Sequence, residues 1–220
     1  MTGAAALKYL QRRLAEFGLA VEQERVDELY DLITEGRDEI VSAFALAAPI
    51  VVKQTITLSP DASDRQLYLW PPGTKDPYRV LRVYDAGTGE DLIPSSALNF
   101  DNGHYAWDSL TSLRLADFVG LTGALRVEAV LSAGPIDQNT ADAFQAWGIP
   151  TTCHRAACKY AAVLALTADE ESAATAAMGL FQREVERLEK LYGDYDANGG
   201  LALREALLKS IGEHLGDSLY

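Results

Sequence analysis

Cysteine is nearly missing from this chain: only Cys153 and Cys158 occur, five positions apart. Residues that close cannot staple distant segments, so no disulfide framework is expected, and a reducing cytoplasm suits the pair as does any compartment where they are never oxidised. Histidine is scarce too, with three in 220 residues. Cys153, His154 and Cys158 fall together, yet only His154 and Cys158 share a helix face. Structural zinc takes four ligands, and no second Cys/His pair exists, so buried core side chains are expected there instead. His104 and His214 have no acidic or nucleophilic companion in sequence. A catalytic triad or acid–base pair is therefore unsupported, and the chain does not read as an enzyme.

Long apolar runs are also lacking. The longest, Ala43 to Val52, is interrupted by Pro49 and falls short of the roughly 20 residues that span a bilayer. The opening residues MTGAAALK lack a basic region before an apolar core, so neither a membrane segment nor a secretory signal is expected. Basic clusters are missing as well. Arg12-Arg13 is the only basic doublet, and 32 acidic against 19 basic residues leave a net charge of −13. That balance excludes a protein that grips nucleic acid by its phosphates. It does suit a surface past which DNA must slide without sticking.

Amphipathic helices are present at both ends. Leu7, Leu10, Leu14 and Phe17 form one stripe that stops at Gly18. A second helix from about Glu22 carries Val26, Leu29, Ile33, Ile40 and Phe44, with Glu24, Asp27, Glu28, Asp31, Asp38 and Glu39 outward, and Pro49 closes it. The middle alternates in short strands: Val51–Leu58, Leu67–Trp70, Tyr78–Tyr84, Leu125–Leu131, and weaker signals at 104–107 and 112–115. Asp85-Ala-Gly-Thr-Gly89 lies between strands with no Lys-Ser/Thr after it, so it reads as a hairpin turn and not a phosphate loop. Helix returns at 140–147, then from Thr151 or Thr152 to Leu166 with many alanines that admit a close neighbour. Thr167-Ala-Asp-Glu170 reads as a capping box for the next helix. That helix carries Ala174, Met178, Phe181, Val185, Leu188 and Tyr192, opposite a solvated face that includes Arg183, Glu184 and Arg187. The expected fold is α+β: a helical bundle formed by N- and C-terminal segments with an inserted small antiparallel β subdomain. Its parts are the N-terminal helices 1–49, the β-rich insert 50–135, the C-terminal helices 136–193, and a loop with a terminal docking helix at 194–220.

One motif carries metal chemistry. Asp194-Tyr-Asp196-Ala-Asn198-Gly199-Gly200-Leu-Ala-Leu-Arg-Glu205 fits the calcium-loop template D-x-[DN]-x-[DN]-G-x5-E. Asp194, Asp196 and Asn198 would give side-chain oxygens, Gly200 a carbonyl and Glu205 a bidentate carboxylate. A solitary inter-helix turn whose acidic residues cap the last helix competes with it. Calcium is the one cofactor the residues suggest, and none is required. The final helix sets Leu201, Leu208, Ile211 and Leu215 roughly on one side, as a fold-back helix or a partner-binding one. Trp70, Trp107 and Trp147 are candidate interface anchors or core residues.

Four local features occur in a telling order. The strand Val51–Leu58 follows a helix ended by Pro49. The break Leu69-Trp70-Pro71-Pro72 precedes the strand and turn Val80–Gly89. The strand Leu125–Leu131 is trailed by a polar segment to Ile149-Pro150. An alanine-rich helix with His154 near its start then leads to the long helix ending Glu186-Arg-Leu-Glu-Lys-Leu-Tyr192. This succession, over roughly residues 5–192, resembles the adaptor, or head-to-tail connector, proteins of long-tailed bacteriophages. The resemblance implies a virion protein at the capsid–tail junction, assembled in the host cytoplasm as a ring of commonly twelve copies. Such a ring docks on the portal protein, extends the DNA channel and offers a downstream connector or tail protein its landing surface. Genomic DNA would pass through the lumen unbound, and no catalytic residues come with the resemblance. A calcium-responsive binding module using residues 194–205 is the alternative reading.

Overall fold

The computed structural model describes residues 1–72, 77–95, 103–109, 111–116, 123–132, 134–144, 149–169, 171–192, 205–206 and 208. The chain divides into two compact units, Met1–Val52 with Ala133–Tyr220, and Lys53–Ser132.

In the first unit, α1 spans Gly3–Glu16, and the Thr2 hydroxyl caps it by accepting from the Ala5 amide. It ends where Gly18 turns left-handed at φ +83°. There the Gly18 amide donates to Ala15 and the Leu19 amide to Leu14, a paired closure of the last carbonyls. Gly3, Ala6, Leu10 and Leu14 are buried, whereas Leu7 and Phe17 are only half-buried. The helix α2, Val26–Ala47, buries Leu29, Ile33, Ile40 and Phe44 and exposes Asp27, Glu28, Asp31 and Asp38. A 3-10 turn at Pro49–Val51 follows it, so the first strand begins later than the alternation suggests.

The helix α3, His154–Asp169, follows a 3-10 turn at Thr151–Cys153, and α4 runs Glu171–Tyr192. Ala156, Ala157, Ala161, Ala162 and Ala165 of α3 are all buried. Their size lets α2 come close: a Cβ at Gly36 would stand 2.4 Å from the Ala157 carbonyl oxygen. From α4, Ala174, Phe181, Val185 and Leu188 are buried. Tyr160 packs on Phe181 with ring centres 5.4 Å apart, and Phe44 meets Tyr192 edge-on at 5.5 Å.

Two local expectations fail in this unit. Thr167 lies inside α3, and its hydroxyl donates to the Val163 carbonyl at 2.8 Å. A hydroxyl spent on its own helix cannot cap the next one. The helix expected at 140–147 is absent from its described part, residues 140–144. There the Asp137 carboxylate takes the Asn139 amide and the Thr140 hydroxyl, and Asp142 takes the Phe144 amide. Such short-range side-chain bonds favour turns over helix. The backbone bonds instead to the chain start, Gly3 amide to Thr140 carbonyl and Ala143 amide to Met1 carbonyl, each 2.9 Å.

In the second unit, seven strands among the described residues form one sheet: β1 Gln54–Pro60, β2 Leu67–Leu69, β3 Pro77–Asp85, β4 Ile93–Pro94, β5 His104–Ser109, β6 Ser112–Leu115 and β7 Leu125–Leu131. Their order is β3-β7-β1-β2-β6-β5-β4. Every pairing is antiparallel except β4 with β5, which runs parallel with Ile93 opposite His104. The two edges approach each other. Tyr84 of β3 bridges Asp91, and the Leu92 amide donates to the Val83 carbonyl at 2.9 Å. The sheet is thus a nearly closed barrel around Ile56, Leu58, Val83, Leu113, Leu125 and Val127.

The expected helical bundle with a small antiparallel β insert is therefore corrected. Four helices among the described residues accompany a seven-stranded mixed sheet that curls into a barrel with its own core. The physical reason is the edge: an open sheet leaves a row of unpaired backbone groups, and curling removes it. Strands as short as β2, β4 and β6 give little alternation to count, so the sheet's extent is hidden in sequence.

Candidate functional site

Of the calcium loop, Asp194, Asp196, Asn198 and Gly200 lie outside the described residues; Glu205 is helical and exposed. Of the terminal apolar stripe, Leu208 is helical and half-buried, while Leu201, Ile211 and Leu215 lie outside the described residues. Among the described residues no three His, Cys, Asp or Glu side chains gather as a metal would need. No helix among them is long and apolar enough to cross a membrane.

The sequence neighbours Cys153, His154 and Cys158 are all buried. Burial pushes both thiols up to about 12, so neither is a thiolate at neutral pH. The His154 ring stacks on Phe144 with centres 4.5 Å apart. One ring nitrogen bonds the Ile149 backbone and Nε2 has no partner among the described residues. Burial, then the nearby chain-start ammonium, holds the ring below its ordinary 6.5, against the weaker pull of Asp142. An unfolded chain takes up that proton from pH 6.5 downward while the buried ring resists it. His154 therefore contributes stability that is full above 6.5 and declines as the pH falls towards the lower folded value. Urea unfolding across pH 7.5 to 5 is expected to show this decline, and His154→Phe to flatten it; equal slopes would refute the assignment.

The Asp85–Gly89 segment is a turn closed on itself. The buried Asp85 carboxylate accepts the Gly87 and Thr88 amides at 2.7 Å each, and Gly89 has φ +76°. The amides a phosphate would use are occupied. Trp70 is buried, Trp107 is partly exposed 6.3 Å from it, and Trp147 lies outside the described residues.

Sequence reasoning passed over a charged cluster that joins α3 to α4. Glu184, expected on the solvated face, is buried. It accepts the Lys159 ammonium at 2.6 Å and the Arg187 guanidinium at 3.0 Å. Burial pushes its carboxyl up, but the two cations outweigh that and it ionises below the usual carboxylate range. Beside it, Thr151, Thr152, Arg155 and Arg187 line an open cleft of about 240 Å³. A spacing signal was available: Thr151, Arg155 and Lys159 recur every four residues on an otherwise alanine-rich stretch. Two cations here, Lys159 and Arg187, share one carboxylate, and Arg155 stands beside them with no ion pair among the described residues, in a chain of net charge −13.

The opposite sign gathers on α2, which carries Asp27, Glu28, Asp31, Glu35, Asp38 and Glu39 against the single Arg37. Arg37 is itself buried, with Nε donating to Asp38 at 2.9 Å, and burial pushes its pKa down. Arg37 thus offsets Asp38 alone, and the exposed Asp27 and Asp31 gain no ion pair from it. Comparison with known protein families gives no match, and comparison with curated proteins gives no significant one.

Proposed function

We propose that this chain is a structural virion protein, a subunit of the head-to-tail connector ring that docks on the portal, extends the DNA channel and joins capsid to tail. One observation carries the reading: residues from both ends of the chain build a single helical unit, and the intervening segment forms a separate barrel unit. A helical wall element whose two halves are separated in sequence by a second folded body suits side-by-side stacking. The acidic balance of the chain supports the same role, because a lumen of like sign lets genomic DNA move without binding. On this reading the protein is assembled in the host cytoplasm and resides at the capsid–tail junction.

The test is co-expression with the portal protein encoded in the same genome. A ring of equal copy number, commonly twelve, should co-purify with the portal and show a central opening by electron microscopy. A chain that stays monomeric beside assembled portal rings ends the reading.

The loop Asp194–Glu205 supports a second, calcium-binding reading on its residue pattern alone. Calorimetric titration should then give heat that Glu205→Gln removes. Silence up to calcium on the order of 1 mM, the weak end of such loops, disposes of it.

A further inference from the structure

The cleft at the start of α3 and the outer face of α2 are complementary in charge, and both lie in the helical unit. On the basic side, α3 carries Arg155 and Lys159 and no carboxylate before Asp169, and α4 adds Arg187. Glu184 is already engaged by Lys159 and Arg187, and Arg155 makes no ion pair among the described residues. Arg155 is exposed, and Arg187 keeps 54% of its side chain in solvent.

On the acidic side, Asp27, Asp31, Glu35 and Asp38 follow one another at spacings of four, four and three, a single stripe along α2. At 1.5 Å per residue the stripe is about 16 Å long. Like charges one turn apart disfavour the helix that bears them. Asp27 and Asp31 make no ion pair among the described residues. Meanwhile α2 turns its opposite side, with Ile33, Gly36 and Ile40, inward, and Gly36 lies against α3. Asp27 and Asp31 therefore lie on the side of α2 away from Gly36 and α3, whereas Glu35 comes within electrostatic reach of Tyr160 on α3 and Asp38 pairs with Arg37.

We infer that the Arg155–Arg187 cleft receives the acidic stripe of α2 from a second copy of this chain. The contact joins two different patches, so it is head-to-tail and propagates into a ring when the rotation closes. The inference rests on the ring reading above and specifies which surfaces meet. Thr151 stands at the same cleft to bond a carboxylate from the incoming helix.

The test uses two full-length variants that alter exposed groups only. The cleft variant carries Arg155→Glu with Arg187→Gln; the stripe variant carries Asp27→Lys with Asp31→Lys. Circular dichroism and thermal melting establish that each is folded, and Arg155→Gln alone serves as a milder cleft variant. Sedimentation velocity then follows self-association at low and high salt. The wild-type chain should associate at low salt and weaken as the Debye length shrinks to about 3 Å in 1 M salt. Each variant alone should associate about a hundredfold more weakly, and an equimolar mixture should recover assembly, because each reversed patch now meets its opposite. Variants that associate like wild type, or a mixture that stays dissociated, overturn the inference. A wild-type chain that is monomeric at low salt overturns it too, yet portal-templated rings would still uphold the ring reading.

Discussion

Gly36→Ala should destabilise the helical unit by about 3 kcal/mol, read as a lower urea midpoint at unchanged slope. A Cβ at this position would lie 2.4 Å from the Ala157 carbonyl oxygen and 3.3 Å from both the Ala157 carbonyl carbon and the Ala161 nitrogen. All three are backbone atoms of α3, so no side-chain rotation relieves the clash and α2 must move outward. Overpacking of a close-fitted core costs about 1–3 kcal/mol and occasionally more. The separation also loosens the contacts of Ala157 and Ala161 along the same seam. Alanine's better helix propensity returns only about 1 kcal/mol. The comparison that isolates the cause is Gly179→Ala in α4, where the new Cβ would meet nothing within 4 Å. There only the propensity acts, and stability should rise by about 0.5–1 kcal/mol. Equal signs for the two substitutions would remove the packing account.

The alanines that make this seam were visible in the sequence, because small residues on one helix announce a close neighbour. Which helix would approach, and through which residue, was not. Gly36 sits mid-helix where a glycine usually costs stability, and only the fold supplies its reason. The helices were legible because their apolar positions recur over 14 to 22 residues. The barrel was not, because β2, β4 and β6 are two to four residues long and their closure depends on pairings far apart in the chain. Tyr84 with Asp91 is a local hairpin bond, yet it also brings β4's side of the sheet back to β3. A reading of one strand at a time sees the first role and misses the second.

The charged site was misread for a different reason. Glu184 lies three residues after Phe181 and four before Leu188, squarely within the apolar stripe of α4. Its charge led to a solvated assignment, although its spacing placed it inside. What reconciles the two is a partner on another helix, Lys159, twenty-five residues away and invisible to any local pattern. The acidic face of α2 needed no such partner to be recognised, because its carboxylates cluster in sequence. The basic cleft opposite to it in sign is assembled from α3 and α4 and emerges only in three dimensions.

Glu184→Leu should accordingly cost about 2–3 kcal/mol, the second large effect. The Lys159 ammonium, with 16% of its side chain exposed, would lose its carboxylate while remaining against α4. Breaking a buried ion pair from one side costs about 3–5 kcal/mol, and solvent access at Arg187 favours a value below that range. The double variant Lys159→Met with Glu184→Leu should recover most of the loss, since an apolar pair of similar volume removes the stranded charge. The pH dependence gives an independent check. Glu184 ionises below its ordinary 4.5 in the folded chain. The stability it contributes is thus present in full above 4.5 and is lost as the pH falls through the lower folded value. The wild-type chain should lose this contribution in acid, whereas the double variant should lack that loss. A single variant as stable as wild type at neutral pH would mean that Glu184 is solvated after all. The Arg187 side of the cleft would then lack the fixed anchor on which its docking role depends.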